Sequence, residues 1–243
     1  MSRLQPDFAA PLEGFRVLVT GAGNGIGRAL ALQLLAANAR VIAWDLSAEA
    51  LGTLAVEGRA PGRLSGSAFD ITDHAALGAA FAEGLSWAGG IDAFVHCAGY
   101  GPYRPFLDYD RSHWERMIAV NMTAYADVTR LVLPSMLESG AGHIVVIGSE
   151  RQDKQAPRTT IYAATKAGVA AFSRALALDY GAKGVHVCIV APGGVRTNFG
   201  DVDAAAKDPR FLSPEMVADA VVFMLRHRNH AWVRDMTVLP LGV

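Results

Sequence analysis

The chain has 243 residues, 51% hydrophobic and 19% charged, long enough for one large core and too apolar for global disorder. Its net charge of -1, from 22 basic and 23 acidic residues, shows no concentrated basic face of the kind that nucleic-acid binding needs. Two cysteines, Cys97 and Cys188, are too few for a disulfide framework, and no metal-binding spacing or membrane-length apolar run occurs.

In chain order, residues 1–14 read as a poorly ordered or loosely packed tail. They carry Asp7 and two prolines where a secretion signal needs an apolar run, so the expected location is cytoplasmic. Strands are expected at Arg16–Thr20, Arg40–Asp45, Ile91–His96, His143–Gly148 and Val185–Val190, with weaker candidates at Gly66–Asp70 and Met236–Leu239. Several are apolar throughout, as parallel strands covered on both faces are. Helical patterns lie between them at Gly25–Ala37, Ala48–Val56, Asp73–Leu85, Ser112–Leu137, Thr159–Tyr180 and Pro214–Arg226. The last has Ser213 as N-cap and Pro214 in its first turn. The alternation predicts a single α/β domain over residues 1–243: a Rossmann-type doubly wound parallel sheet of about seven strands, flanked by helices on both faces. The long irregular stretch Pro192–Leu212 is a candidate active-site loop.

The first strand runs straight into Gly21-Ala22-Gly23-Asn24-Gly25-Ile26-Gly27. Such a turn lets backbone N–H groups and a helix N-terminus face a pyrophosphate, although a glycine turn also serves packing alone. The spacing is G-x-x-x-G-x-G, at Gly21, Gly25 and Gly27. The second strand ends at Asp45, where a dinucleotide fold places an acid on the adenosine ribose; the competing role is a helix cap. The third ends at Asp70-Ile71, with Thr72 or Asp73 as the next cap.

Ser149 follows the fifth strand, and Tyr162-x-x-x-Lys166 opens a long helix. Tyrosine and lysine four apart share a helical face. A cation at ~4 Å in an effective dielectric of ~20 favours phenolate by roughly 4 kcal/mol, about 3 pK units, bringing the phenol toward neutral pH.

Together with Pro192-Gly193-Gly194-Val195-Arg196-Thr197, these motifs resemble the short-chain dehydrogenase/reductase family from about Phe15 to the C-terminus. The resemblance implies Tyr162 as acid/base and Ser149 as hydrogen-bond donor to the reacting oxygen. It implies Lys166 as the residue that tunes Tyr162 and binds the nicotinamide ribose, and Asn121 as holder of a relay water. Cofactor contacts are then expected from Gly21, Asn24, Gly25, Ile26, Gly27 and Asp45, and from Asp70, Ile71, Cys97, Ala98 and Gly99. Tyr162, Lys166, Pro192, Gly193, Val195 and Thr197 complete the set, and no metal is expected. His96-Cys97 departs from the family's Asn-Asn, which leaves one sheet-stabilising or cofactor contact open; Cys97 reads as a small packing residue.

By family position the substrate lies among Tyr100–Phe106, the charged run Glu150–Lys154 and the loop Gly194–Leu212, which carries Phe199 and Phe211. Trp44, Trp87 and Trp232 read as packing residues. The expected activity is NAD-dependent hydride transfer between nicotinamide and a secondary alcohol or ketone. A bulkier carbonyl (steroid, sugar or acyl-carrier-bound ketone) or a non-catalytic dinucleotide sensor is the alternative. Asp45 with no cation at Asn24, Leu46 or Ser47 points to NAD, by a preference of about 10²–10³. The expected partner is a small molecule, with neither nucleic acid nor membrane, and the assembly a homo-oligomer, a tetramer by family analogy.

Overall fold

The computed structural model describes residues 9–200, 207–228 and 231–242. Seven parallel strands form one sheet: β1 (Arg16–Thr20), β2 (Arg40–Asp45), β3 (Leu64–Ala68), β4 (Ala93–His96), β5 (Gly142–Ile147), β6 (Val185–Pro192) and β7 (Asp235–Val238). Their order is β3-β2-β1-β4-β5-β6-β7. The chain reverses its direction of winding between β1 and β4, whose Thr20 and His96 are in register. In open parallel sheets a crevice forms at that reversal, beyond the carboxyl ends of the strands.

The helices are α1 (Gly25–Ala36), α2 (Ala48–Gly58), α3 (His74–Ala88), α4 (Arg111–Ile118), α5 (Ala124–Ser139), α6 (Thr160–Tyr180) and α7 (Pro214–Arg226). Side chains alternate across the central strands, so each sheet face carries its own core. On one face Val17, Val19 and Val41 pack with Leu30 and Leu34 of α1 and Val221 of α7. On the other, Leu18, Ile42 and Phe94 pack with Val128 and Val132 of α5 and Val169 of α6. All of these are almost fully buried, each contributing about 1.5–3 kcal/mol in area terms.

Two sequence expectations change. The helix expected over Ser112–Leu137 is interrupted by a π-helical segment, Ala119–Thr123, between α4 and α5. Residues 10–14 are also no loose tail: Ala10 N donates to the Arg226 carbonyl at 2.6 Å, and Leu12 is 1% exposed within the α1–α7 core. Arg228 holds the Pro11 carbonyl at 2.8 Å, fixing this segment over the end of α7. Residues 1–8 lie outside the described residues.

Candidate active site

The turn after β1 is set by close backbone approach. Gly21 has φ of +66°, and a Cβ there would lie 2.8 Å from the Ala98 nitrogen; a Cβ on Gly27 would collide with the Gly21 carbonyl oxygen. Both places need glycine. The result is a helix start, capped in position by Asn24 without a side-chain bond, whose N-terminus is free of bulk.

Asp45 accepts from Gly23 N at 2.8 Å through one carboxylate oxygen and from Ser47 N at 3.0 Å through the other. The cap of α2 is Ser47, which accepts from Ala50 N at 3.1 Å. Asp45 is therefore not the helix cap, and each of its oxygens can accept a further bond. Beside it opens a cavity of about 220 Å³ lined by Gly21, Asp45, Phe69, Asp70, Ile71 and Ala98. Arg116 and Val120 close it from α4 and the π segment. Arg116 bonds Asp70 at 2.8 Å and Thr72 Oγ1 at 2.9 Å. Hydrogen bonds from Thr72 and Arg116 hold the Asp70 carboxyl below its ordinary pKa, although burial, the largest single influence, pushes it up. Sequence reading missed Arg116, which belongs to no motif and is found only through its bonds to Asp70 and Thr72. A larger groove, about 730 Å³, runs between α2 and β3, and its lining of small and apolar residues with Arg59 holds no acid, base or nucleophile.

His96 and Cys97 follow from the same junction. His96 is 1% exposed, with Nδ1 2.9 Å from Thr20 Oγ1, which itself accepts from Ala98 N at 3.3 Å. Burial pulls the ring down to about 3, with the Lys166 charge adding, so it is neutral and suited to accept at Nδ1. A threonine–histidine pair thus ties β1 to β4 at the point where His96-Cys97 departs from the expected Asn-Asn. Burial pushes the Cys97 thiol up to about 12, which suits packing rather than redox chemistry.

Ser149, Tyr162, Lys166 and Asn121 converge beyond β5. Ser149 lies two residues beyond the end of β5, and Tyr162 sits in the first turn of α6; they are 7% and 6% exposed. Lys166, one turn later, donates to the Ile147 carbonyl at 2.7 Å and lies 5.8 Å from the centre of the Tyr162 ring. The expectation that lysine brings the phenol down does not hold in this arrangement. Burial dominates and raises Tyr162 above its ordinary value, with hydrogen bonding from Ser149 and the charge of Arg151 acting in the opposite direction. Lys166 is itself pulled down to about 8 by burial. The ammonium is engaged with a main-chain carbonyl, and little water remains to stabilise phenolate.

Asn121 lies in the π segment, whose widened turn is a common feature of functional sites. Its Oδ1 accepts from Tyr100 N at 2.8 Å, and its Nδ2 donates to Tyr100 O at 2.9 Å and Thr165 Oγ1 at 3.0 Å. It thereby pins the segment after β4 to α6. Thr165 was not foreseen; it has no motif of its own and is found only through this bond.

Pro192 ends β6, Gly193 N donates to Val238 O at 2.8 Å, and Val195 bridges to Leu212. The Thr197 methyl lies over the glycine turn, 2.9 Å from a Cβ placed on Gly25. Phe199 then packs against Tyr162 with ring centres 5.5 Å apart, and Tyr103 approaches the same ring edge-on, also at 5.5 Å. Of the other aromatic residues expected at the pocket, Phe106 is 52% exposed on a 3-10 turn and Phe211 lies against Gly194. Trp44 is buried against Phe69, and Trp87 lies under Arg40. Trp232, partly exposed, stacks on His186. The part of the expected loop at residues 201–206 lies outside the described residues. Among the described residues no group of three or more His, Cys, Asp or Glu could hold a metal ion.

The profile of a family described as short chain dehydrogenase matches residues 16–207. A 2-keto-3-deoxy-L-fuconate dehydrogenase of Xanthomonas campestris pv. campestris is 40% identical over 76% of this chain, a match spanning 60% of that protein's length. A D-threitol dehydrogenase of Mycolicibacterium smegmatis is 34% identical over 91% of this chain and 89% of its own. A solved structure of serine dehydrogenase with NADP+, in its closed form, superposes with a TM-score of 0.87 at 29% identity, covering 94% of this chain and 96% of that one.

Proposed function

The chain belongs to the short-chain dehydrogenase family, and on that premise we propose that it is an NAD-dependent oxidoreductase that interconverts a secondary alcohol and its ketone. The observation that carries the reading is the meeting of Ser149, Tyr162 and Lys166 beyond the carboxyl end of β5, at the same end of the sheet as the glycine turn. When bound, the nicotinamide would supply or accept the hydride. The glycine turn, Asp45 and the cavity bounded by Asp70 and Ile71 fit a dinucleotide, with Ala98, Gly99 and the Pro192–Thr197 segment along its path.

Tyr162 handles the proton. In reduction its neutral phenol, which burial favours, gives a proton to the carbonyl oxygen. Ser149 donates to that same oxygen and stabilises the charge that develops on it. In oxidation Tyr162 takes the alcohol proton, while Lys166 stays on the Ile147 carbonyl beside the ring. Asn121 holds the wall between Tyr100 and Thr165 and is the expected station for a relay water beside Lys166.

The cofactor choice rests on charge. Arg28 is paired with Glu57 on α2, and Arg40 donates to the Trp87 carbonyl at 2.7 Å and stacks on its ring. Arg116, the cation on the cavity wall, is engaged by Asp70. A 2′-phosphate would meet the Asp45 carboxylate with no uncommitted cation from these three. The NADP+ of the serine dehydrogenase structure belongs to that protein.

The same reading makes the chain a cytoplasmic homo-oligomer, with a tetramer as the expected state. An exposed row on α6 that includes Ala164, Ala171, Phe172, Ala175 and Leu178 supports self-association.

The test is a panel of alcohols and ketones followed by nicotinamide absorbance with both cofactors. Turnover with NAD is expected. Tight cofactor binding with no turnover on any member would favour a dinucleotide sensor instead.

A further inference from the structure

The cavity beside the glycine turn is lined by Asp45 and Asp70 together with Arg116. Asp45 is bonded to the glycine turn through Gly23 N, and Asp70 is bonded to α4 through Arg116. Leu46, Ile71, Ala98 and Val120 supply apolar wall, and Leu46 is 69% exposed. An apolar slot with a polar edge suits a flat heteroaromatic ring whose rim meets Asp70. On the dinucleotide reading above, that ring is the purine base.

Asp70 is held on both oxygens. Oδ1 accepts from Thr72 N at 2.9 Å and from Thr72 Oγ1 at 2.7 Å. Oδ2 accepts from Arg116 Nη1 at 2.8 Å, and the same nitrogen donates to Thr72 Oγ1 at 2.9 Å. A carboxylate oxygen has about two lone-pair sites. Oδ1 is therefore filled, and Oδ2 keeps an acceptor site. Burial pushes the Asp70 carboxyl up, but the bonds from Thr72 and Arg116 more than offset this, so the group is ionised and accepts only.

The two partners do different things. Thr72 belongs to the same turn and grips a single oxygen, about which the carboxylate can still pivot. Arg116 comes from a separate helix, takes the second oxygen and so fixes the plane. It also offsets one of the negative charges that the phosphates of a dinucleotide must approach. An ion pair with both side chains 37% exposed adds little to stability. Its effect lies in how it leaves Asp70.

We propose that Arg116 is a positioning residue for cofactor binding: it sets Asp70 so that the acceptor site left on Oδ2 meets an N–H on the base, and the cavity thereby selects a 6-aminopurine over a 6-oxopurine. This rests on the dinucleotide reading above and gives α4 a part in it. An amino group donates to that oxygen. A ring carbonyl in the same place sets oxygen against oxygen and forfeits a bond to a charged group.

The experiment measures the Kd of NADH and of reduced nicotinamide hypoxanthine dinucleotide, which carries an oxo group in place of the 6-amino group. Nicotinamide fluorescence reports both, and no substrate is needed. The readout is the ratio of the two Kd values, which is independent of the fraction of protein correctly folded. Wild type should favour NADH at least about 10-fold. In Arg116→Met the ratio should fall below about threefold, chiefly through weaker NADH binding. Asp70→Asn should lower it as well, and adding Arg116→Met to that variant should change it by less than about twofold, because Arg116 acts through Asp70. A wild-type ratio near one, an unchanged ratio in Arg116→Met, or equal losses for both cofactors would overturn the proposal. So would a full further loss in the Asp70→Asn background, which would show Arg116 acting on its own. If wild type binds neither of these nor NADPH, the dinucleotide reading fails and the proposal falls with it. Binding of NADH with ratios that Arg116 does not move would overturn the proposal alone.

Discussion

Lys166 donates to the Ile147 carbonyl oxygen at 2.7 Å while its nitrogen lies 5.8 Å from the centre of the Tyr162 ring. An ammonium on a 5% exposed residue with this one protein bond costs stability, and burial pulls its pKa down to about 8.

A stability consequence follows, with a definite sign. Between about pH 8 and the ordinary lysine pKa, the unfolded chain binds more protons at Lys166 than the folded one. Stability from this residue therefore rises with pH across that window, and its cost is full below it. Lys166→Met should melt no lower than wild type at pH 7. The Tm difference in its favour should shrink between pH 7 and pH 10 as wild-type Lys166 loses its proton. The variant should also lose at least about 10²-fold in kcat/KM. Thermal melts across this pH range check both the sign and the window.

His96 gives the acid-side counterpart. Its pKa falls to about 3 in the fold, so the unfolded chain binds more protons between the ordinary histidine value and about 3. Stability should fall as pH drops through that window. His143, buried and pulled down to about 4, contributes in the same direction. His96→Asn should flatten the decline of Tm between pH 6.5 and pH 4 without abolishing it, because His143 remains. An unchanged slope would mean that His96 does not titrate on unfolding as described.

Much of this architecture was legible in the sequence because apolar strands and glycine turns are local signals. Asp45–Ser47 and Tyr162–Lys166 also lie within one turn or strand end, so their local geometry could be read from spacing, while their roles rested on the combination of motifs. The π segment was not legible. Its residues, Ala-Val-Asn-Met-Thr, fit an uninterrupted helix, and the distortion is visible only in the fold, where Asn121 bonds Tyr100 and Thr165 from distant segments. The effect of burial on Tyr162 was hidden for a similar reason. The i, i+4 spacing places the lysine, but desolvation depends on Phe199, Tyr103 and the Ile147 carbonyl, which only folding assembles. Leu12 was misread because a short segment before the first strand has no periodicity to reveal its burial.

Cofactor choice is tested at Asp45. One unit charge at ~4 Å in an effective dielectric of ~20 opposes a phosphate charge by roughly 4 kcal/mol, and solvent reduces this to a preference of about 10²–10³ for NAD. Asp45→Ser should weaken NAD and relieve the penalty on NADP. The variant also frees Gly23 N and Ser47 N, both now bonded to the carboxylate, so its Tm should be measured alongside. Equal kcat/KM for the two cofactors in wild type, or no shift toward NADP in the variant, would remove Asp45 from this role.

The central claim is that the Tyr162 hydroxyl moves the proton that accompanies the hydride. Tyr162→Phe keeps the ring and its contacts with Tyr103 and Phe199 while removing that hydroxyl. The decisive measurement is kcat for this variant on any substrate that wild type turns over, paired with the cofactor Kd. A loss of roughly 10²–10⁴ in kcat with a nearly unchanged Kd is the result expected. A variant that retains a third of the wild-type kcat would contradict the account.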